Sequence, residues 1–143
     1  MLRQYGITAG LLSVAFGLGV YVGAGIRVEA QRAPRVLEVR RYTANEGKLD
    51  ALVKRMREGE TKFFEKHGMK GVFYSVAAEA PESQNTYVYV LSHESREAAK
   101  KSWDDFRNDP AWKAMRDRSE INGPLVGKVE SMFVNPTDFS PIK

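Results

Sequence analysis

A chain of 143 residues carrying 22 basic and 18 acidic side chains is long enough for one domain with one core and too short for two of ordinary size. It has no cysteine, which excludes disulfides, thiolate nucleophiles and cysteine metal sites while suiting an oxidising compartment. Basic and acidic residues are interleaved, as in Arg55-Met-Arg57-Glu58 and Lys100-Lys101-Ser-Trp-Asp104-Asp105, the pattern of solvated faces and not of a nucleic-acid track.

Residues 1–30 differ in composition from the rest: their only charges are Arg3, Arg27 and Glu29, and the run from Ile7 to Ile26 has none. A polar start at Arg3, an apolar run, and Val28-Glu29-Ala30 before Gln31 have the layout of an export signal. The same run is long enough to cross a bilayer as a transmembrane helix. Its glycines, including Gly19-x-x-x-Gly23, read either as signal filler or as a helix-packing motif. Two expectations follow, a cleaved signal peptide or a retained single-pass membrane anchor, and both put the domain outside the cytoplasm, periplasmic or secreted. Residues 31–35 read as a linker, and 36–143 as the domain.

Val36 to Tyr42 alternates like a strand, with Leu37 and Val39 on one side and Glu38, Arg40 and Tyr42 on the other. After a turn, Leu49, Leu52, Val53, Met56, Glu60, Phe63, Phe64 and His67 recur at helical steps, and Gly68 offers a left-handed stop. The stripe is read as a face packed on a sheet, and His67 as a last-turn residue placed for the helix dipole. Met69 to Ala77 reads as a second strand, Glu79 to Asn85 as a loop and Thr86 to His93 as a third strand. On that strand Val88, Val90 and Ser92 oppose Tyr87, Tyr89, Leu91 and His93. The helices are expected on the smoother aliphatic side, leaving the Tyr89 and His93 side in need of another cover.

Ser95 is placed to cap a helix whose face is Ala99, Ser102, Trp103 and Phe106. Asp109-Pro110 restarts a helix carrying Ala111, Trp112 and Met115 inward. Trp103, Phe106 and Trp112 read as packing anchors. Asn122-Gly123-Pro124 stops that helix, Val126 to Val134 is the fourth strand, and Asn135 to Lys143 reads as a tail over a neighbour. The order describes an α+β, ferredoxin-like βαββαβ fold, an antiparallel sheet with helices on one face. With Tyr42, Tyr74, Tyr87, Tyr89 and Leu91 expected on the uncovered face, a homodimer is predicted.

Five stretches carry a family likeness: Gly47-Lys-Leu-Asp-Ala-Leu52, Phe64-Glu-Lys-His67-Gly68-Met69, Ser95-Arg-Glu-Ala98, Ser102 to Trp112 and Gly123 to Ser131. Across nearly everything after Pro34 the chain resembles the NIPSNAP family. The resemblance implies a dimeric α+β barrel, in which two sheets face each other across a cavity, and a domain with no defined reaction. Related barrels include cofactor-independent monooxygenases and haem-degrading enzymes, so by analogy the cavity of such a dimer is also a place for chemistry.

The chain has no glycine-rich phosphate loop, no His-Glu-x-x-His and no Gly-x-Ser-x-Gly. Its two histidines have no metal-ligand spacing, and no metal or cofactor is expected. What remains is Glu38, Arg40, Tyr42, Tyr89 and His93, expected on the face away from the helices. They read as a ligand pocket, in which Arg40 holds an anionic or carbonyl group, Glu38 or His93 moves a proton and the tyrosines form an apolar wall. The reading preferred over that one is structural, with Glu38 and Arg40 pairing with each other or across the dimer and the tyrosines filling the interface. The functional expectation is a binding or interaction module for a small apolar or anionic ligand, exported or tethered, with a small-molecule enzyme of the monooxygenase kind as the alternative.

Overall fold

A computed structural model of the chain describes residues 35–142; the expected signal or anchor lies outside them. Four strands form one antiparallel sheet: β1 (Val36–Ala44), β2 (Lys70–Val76), β3 (Thr86–His93) and β4 (Val126–Val134), in the spatial order β2-β3-β1-β4. With helices between β1 and β2 and between β3 and β4, this is the ferredoxin-like α+β arrangement read from the sequence. Among the described residues no helix is long and apolar enough to cross a membrane.

The first helical segment is not uniform. It runs as α1 (Leu49–Arg55), one π turn over Met56–Glu60, and α2 (Thr61–Lys66). Leu49, Leu52, Met56, Glu60 and Phe64 are buried along it, as the stripe predicts. The wider π turn brings residues five apart to the same side, so Arg55 Nε donates to Glu60 Oε2 at 2.7 Å. Arg55 therefore sits inside, against the expectation of a solvated face; its Nη1 also bonds Glu120 Oε1 at 2.9 Å. Gly59 in this turn leaves room for Met115, whose methyl would lie 2.5 Å from a Cβ placed there and would have to move aside. Gly68 closes α2 at φ +79°, the left-handed stop anticipated there.

The second helical pair is α3 (Arg96–Asn108) and α4 (Pro110–Ser119). Ser95 accepts from the Ala98 amide at 3.0 Å, and Asp109 accepts from those of Ala111 and Trp112, with Pro110 in the first turn. Asp109 also takes Lys66 Nζ and His67 Nε2 at 2.6 and 2.8 Å, so His67 anchors α2 to the start of α4. These four donors hold the Asp109 carboxyl well below the usual range, with Lys66 and His67 foremost.

The core lies between the helices and one sheet face, and it is built from rings. Phe64 stacks on Tyr89 at 5.6 Å between centroids and Phe106 on Trp112 at 4.5 Å, while Trp103 meets Phe64 edge-on at 5.7 Å. This overturns the expected assignment of strand faces. Register pairs Arg40 with Tyr89, Tyr42 with Tyr87 and Glu38 with Leu91, and this side lies under the helices. The aliphatic side, with Leu37, Val39, Val88 and Val90, faces away from them. The reason is complementarity of shape: helices presenting Phe64, Trp103 and Phe106 find ring-sized partners in Tyr42 and Tyr89, not in valines.

Candidate functional site

β1 and β3 lie side by side at the centre of the sheet, which brings all five candidate residues into one cluster beneath α2 and α3, with Glu38, Tyr42, Tyr89 and His93 buried and the Arg40 side chain 14% exposed. The corrected face changes their surroundings: they meet helix side chains of their own chain and not a facing sheet.

Glu38 is the centre. Its side chain is 2% exposed and its two oxygens accept four hydrogen bonds. Oε1 takes Arg40 Nη1 and Ser131 Oγ, both at 2.6 Å, and Oε2 takes Trp103 Nε1 at 2.7 Å and His93 Nε2 at 2.9 Å. Burial on its own would raise the pKa; the bonds from His93, Ser131 and Trp103 and the charge of Arg40 outweigh it and hold the group at about 2. Glu38 is thus a carboxylate at neutral pH, unsuited to act as a base. Its role is to fix its neighbours, His93 above all.

The guanidinium of Arg40 lies over the Trp103 ring at 4.1 Å, with the Tyr42 and Tyr89 rings at 5.6 and 6.0 Å. Tyr89 Oη donates to Tyr42 Oη at 2.6 Å, and burial pushes both phenols up, so both stay neutral. The tyrosines fill the interior. They do not wall an open pocket.

Two polar atoms of this cluster are buried without a partner: Arg40 Nε and His93 Nδ1. The first is surrounded by aromatic faces. For the second, a carboxylate can only accept, so Nε2 carries the hydrogen and Nδ1 of a neutral ring is a bare lone pair. An unsatisfied buried acceptor of this kind typically costs about 1–3 kcal/mol and calls for an explanation.

Between α3 and β4 a cleft of about 470 Å³ reaches Glu38. Trp103 and Phe133 supply its rings, and Arg96, Lys100 and Arg107 stand along α3, with Glu97 among them. The Arg96 guanidinium lies over the Phe133 ring at 3.6 Å, and the His93 ring is 5.9 Å from that of Phe133 between centroids. In this cleft Lys100 and Arg107 both pair with Asp104. A second cleft, of about 390 Å³, lies beside Arg55, whose guanidinium is held by Glu60 and Glu120. Among the described residues no group of three or more His, Asp or Glu is placed to hold a metal ion.

Trp103, Ser131, Phe133 and Arg96 were not among the sequence-derived site residues. Trp103 was legible only as an anchor, which it also is. Ser131 and Phe133 join the site because β4 pairs with β1 in a register that sets them opposite Arg40 and Glu38. Ser131 left one readable trace, a polar residue between Val129 and Phe133 on the inward side of a strand.

The family profile of NIPSNAP matches residues 37–141, nearly all of the domain. The chain belongs to the NIPSNAP family. No curated protein matches it. Among solved structures, this NIPSNAP chain is similar to a family protein of unknown function from Agrobacterium tumefaciens, with a TM-score of 0.66 at 20% identity over 77% of this chain and 95% of that one. A second Agrobacterium tumefaciens family protein gives 0.65 at 23% identity over 76% and 90%, and an uncharacterised NIPSNAP-like domain protein from Burkholderia xenovorans 0.64 at 18% over 75% and 89%. At these identities the likeness establishes the fold. The chemistry of the site rests on this NIPSNAP chain's own residues.

Proposed function

We propose that this NIPSNAP domain binds a small ligand with a flat apolar body and an anionic group, in the cleft between α3 and β4. The observation that carries the reading is the composition of that cleft. Trp103 and Phe133 offer ring faces, Arg96, Lys100 and Arg107 offer positive charge, and the cleft leads to a charge-neutralised polar centre instead of ending on solvated backbone. Binding outside the cytoplasm is part of the proposal, supported by the charge-free run from Ile7 to Ile26. So is a second copy of the chain on the sheet face away from the helices, where Met132 is 60% and Phe73 46% exposed. The test is native mass spectrometry of the purified protein. A bound mass is expected in the wild type and lost in Arg96→Ala/Lys100→Ala; a mass retained in that variant refutes the cleft as its site.

One observation favours chemistry over binding alone, the partnerless Nδ1 of His93 held against a carboxylate. In this second reading the domain is a small-molecule enzyme working in the same cleft.

A further inference from the structure

We infer that Glu38 and His93 form a dyad in which Nδ1 of His93 accepts the proton of a weakly acidic O–H, a phenol or enol, on the ligand of the α3–β4 cleft. The inference rests on that cleft being the ligand site. Three features of the geometry lead to it. Glu38 uses one oxygen to hold Nε2–H of His93, so the ring is oriented with its lone pair at the far nitrogen. That nitrogen is buried and is left without a partner in a cluster where Glu38 itself accepts four bonds. His93 itself does not line the cleft; its ring lies 5.9 Å, between centroids, from that of Phe133, which does, and Phe133 stands on β4, the edge strand next to β1.

The groups around the dyad fit the charges such a transfer makes. The ligand O–H bond breaks and its electron pair stays on oxygen, while the proton goes to Nδ1. The imidazolium then lies against the Glu38 carboxylate, which Arg40, Ser131 and Trp103 keep ionised. The new oxyanion is met by the Arg96 guanidinium that covers Phe133. An O–H donor on a flat ring is the chemistry this combination recognises: a lone pair to receive the proton, ring faces for the body, a cation for the charge left behind. Glu38 is a positioning residue here. His93 is the residue that touches the reacting proton.

The probe is 4-nitrophenol, whose phenol and phenolate absorb at different wavelengths, added to the full-length protein at a pH below its solution pKa. The bound probe is expected to show the phenolate band in the wild type and the phenol band in His93→Gln and in Glu38→Gln, with the phenolate band restored in Glu38→Asp. The Trp103 indole N–H, assigned against Trp112→Phe by nitrogen-15 NMR, reports occupancy of the cleft. An unmoved Trp103 resonance at saturating probe defeats the cleft reading and the dyad with it. A shifted resonance with the phenol band in the wild type, or the phenolate band in His93→Gln, overturns the dyad alone. Should the variants fail to fold, the ligand-free wild type still decides: the His93 ring must carry its hydrogen on Nε2, and a hydrogen on Nδ1 of a neutral ring overturns the inference.

Discussion

Nε2 of His93 lies 2.9 Å from Oε2 of Glu38, two residues 55 positions apart that the β1–β3 pairing draws together under α3. The contact fixes which histidine nitrogen carries hydrogen and gives the carboxylate one of its four donors. Much of what can be measured on this protein follows from it.

Replacing Glu38 with alanine strands Trp103 Nε1 and Ser131 Oγ and leaves Arg40 as a buried charge without its counter-ion. Breaking a buried pair in this way costs about 3–5 kcal/mol. Urea denaturation of Glu38→Ala should show that loss in midpoint with little change in slope. A loss under about 1 kcal/mol would place Glu38 with surface ion pairs and contradict its burial.

Acid should destabilise the fold through the same group. Glu38 has a folded pKa of about 2 against an ordinary 4.5, so the folded state binds its proton more weakly than the unfolded chain does. Its stabilisation is full above pH 4.5 and is lost as pH falls through 4.5 towards 2. In Glu38→Gln, stability should be lower at neutral pH and fall less steeply across that interval. Equal slopes in variant and wild type would show that other carboxylates carry the acid limb.

The dimer predicted from the sequence acquires a different surface. Tyr42, Tyr87 and Tyr89 are inside and Tyr74, on the same side as they are, stays 38% exposed, while the outward sheet face presents Val39, Val88, Phe73 and Met132. Light scattering of the Gln31–Lys143 unit at micromolar concentration should give twice its chain mass, and Met132→Asp should weaken association at least about tenfold by burying a charge in the contact. A wild-type monomer at that concentration excludes this face as a dimer contact.

The leader makes a prediction independent of the domain. Protein recovered from its own cells should begin near Gln31, or should fractionate with membranes if residues 1–30 are kept. Intact mass and N-terminal peptides decide between these, and a soluble cytoplasmic species starting at Met1 would exclude both.

Local signals in the chain were sufficient for the elements. Ser95 and Asp109-Pro110 set the starts of α3 and α4, Gly68 the end of α2, and alternation in Val36–Tyr42 and Thr86–His93 the central strands, because capping, left-handed backbone and period-two patterning act within a few residues. The same alternation established that Glu38, Arg40 and Tyr42 share a side, and Tyr89 and His93 another, since a strand cannot do otherwise. Which side met the helices was not written in either strand. That depended on rings from α2 and α3 packing on rings from β1 and β3, a match between surfaces that exist only when all four elements are in place. Arg55 is a similar case: a cation among charges reads as solvated until a π turn sets it against Glu60 and the end of α4 delivers Glu120. Ser131, Trp103 and the unpaired Nδ1 of His93 likewise belong to the site only through register and burial, which is why the tertiary structure, and not the sequence, decided where its chemistry lies.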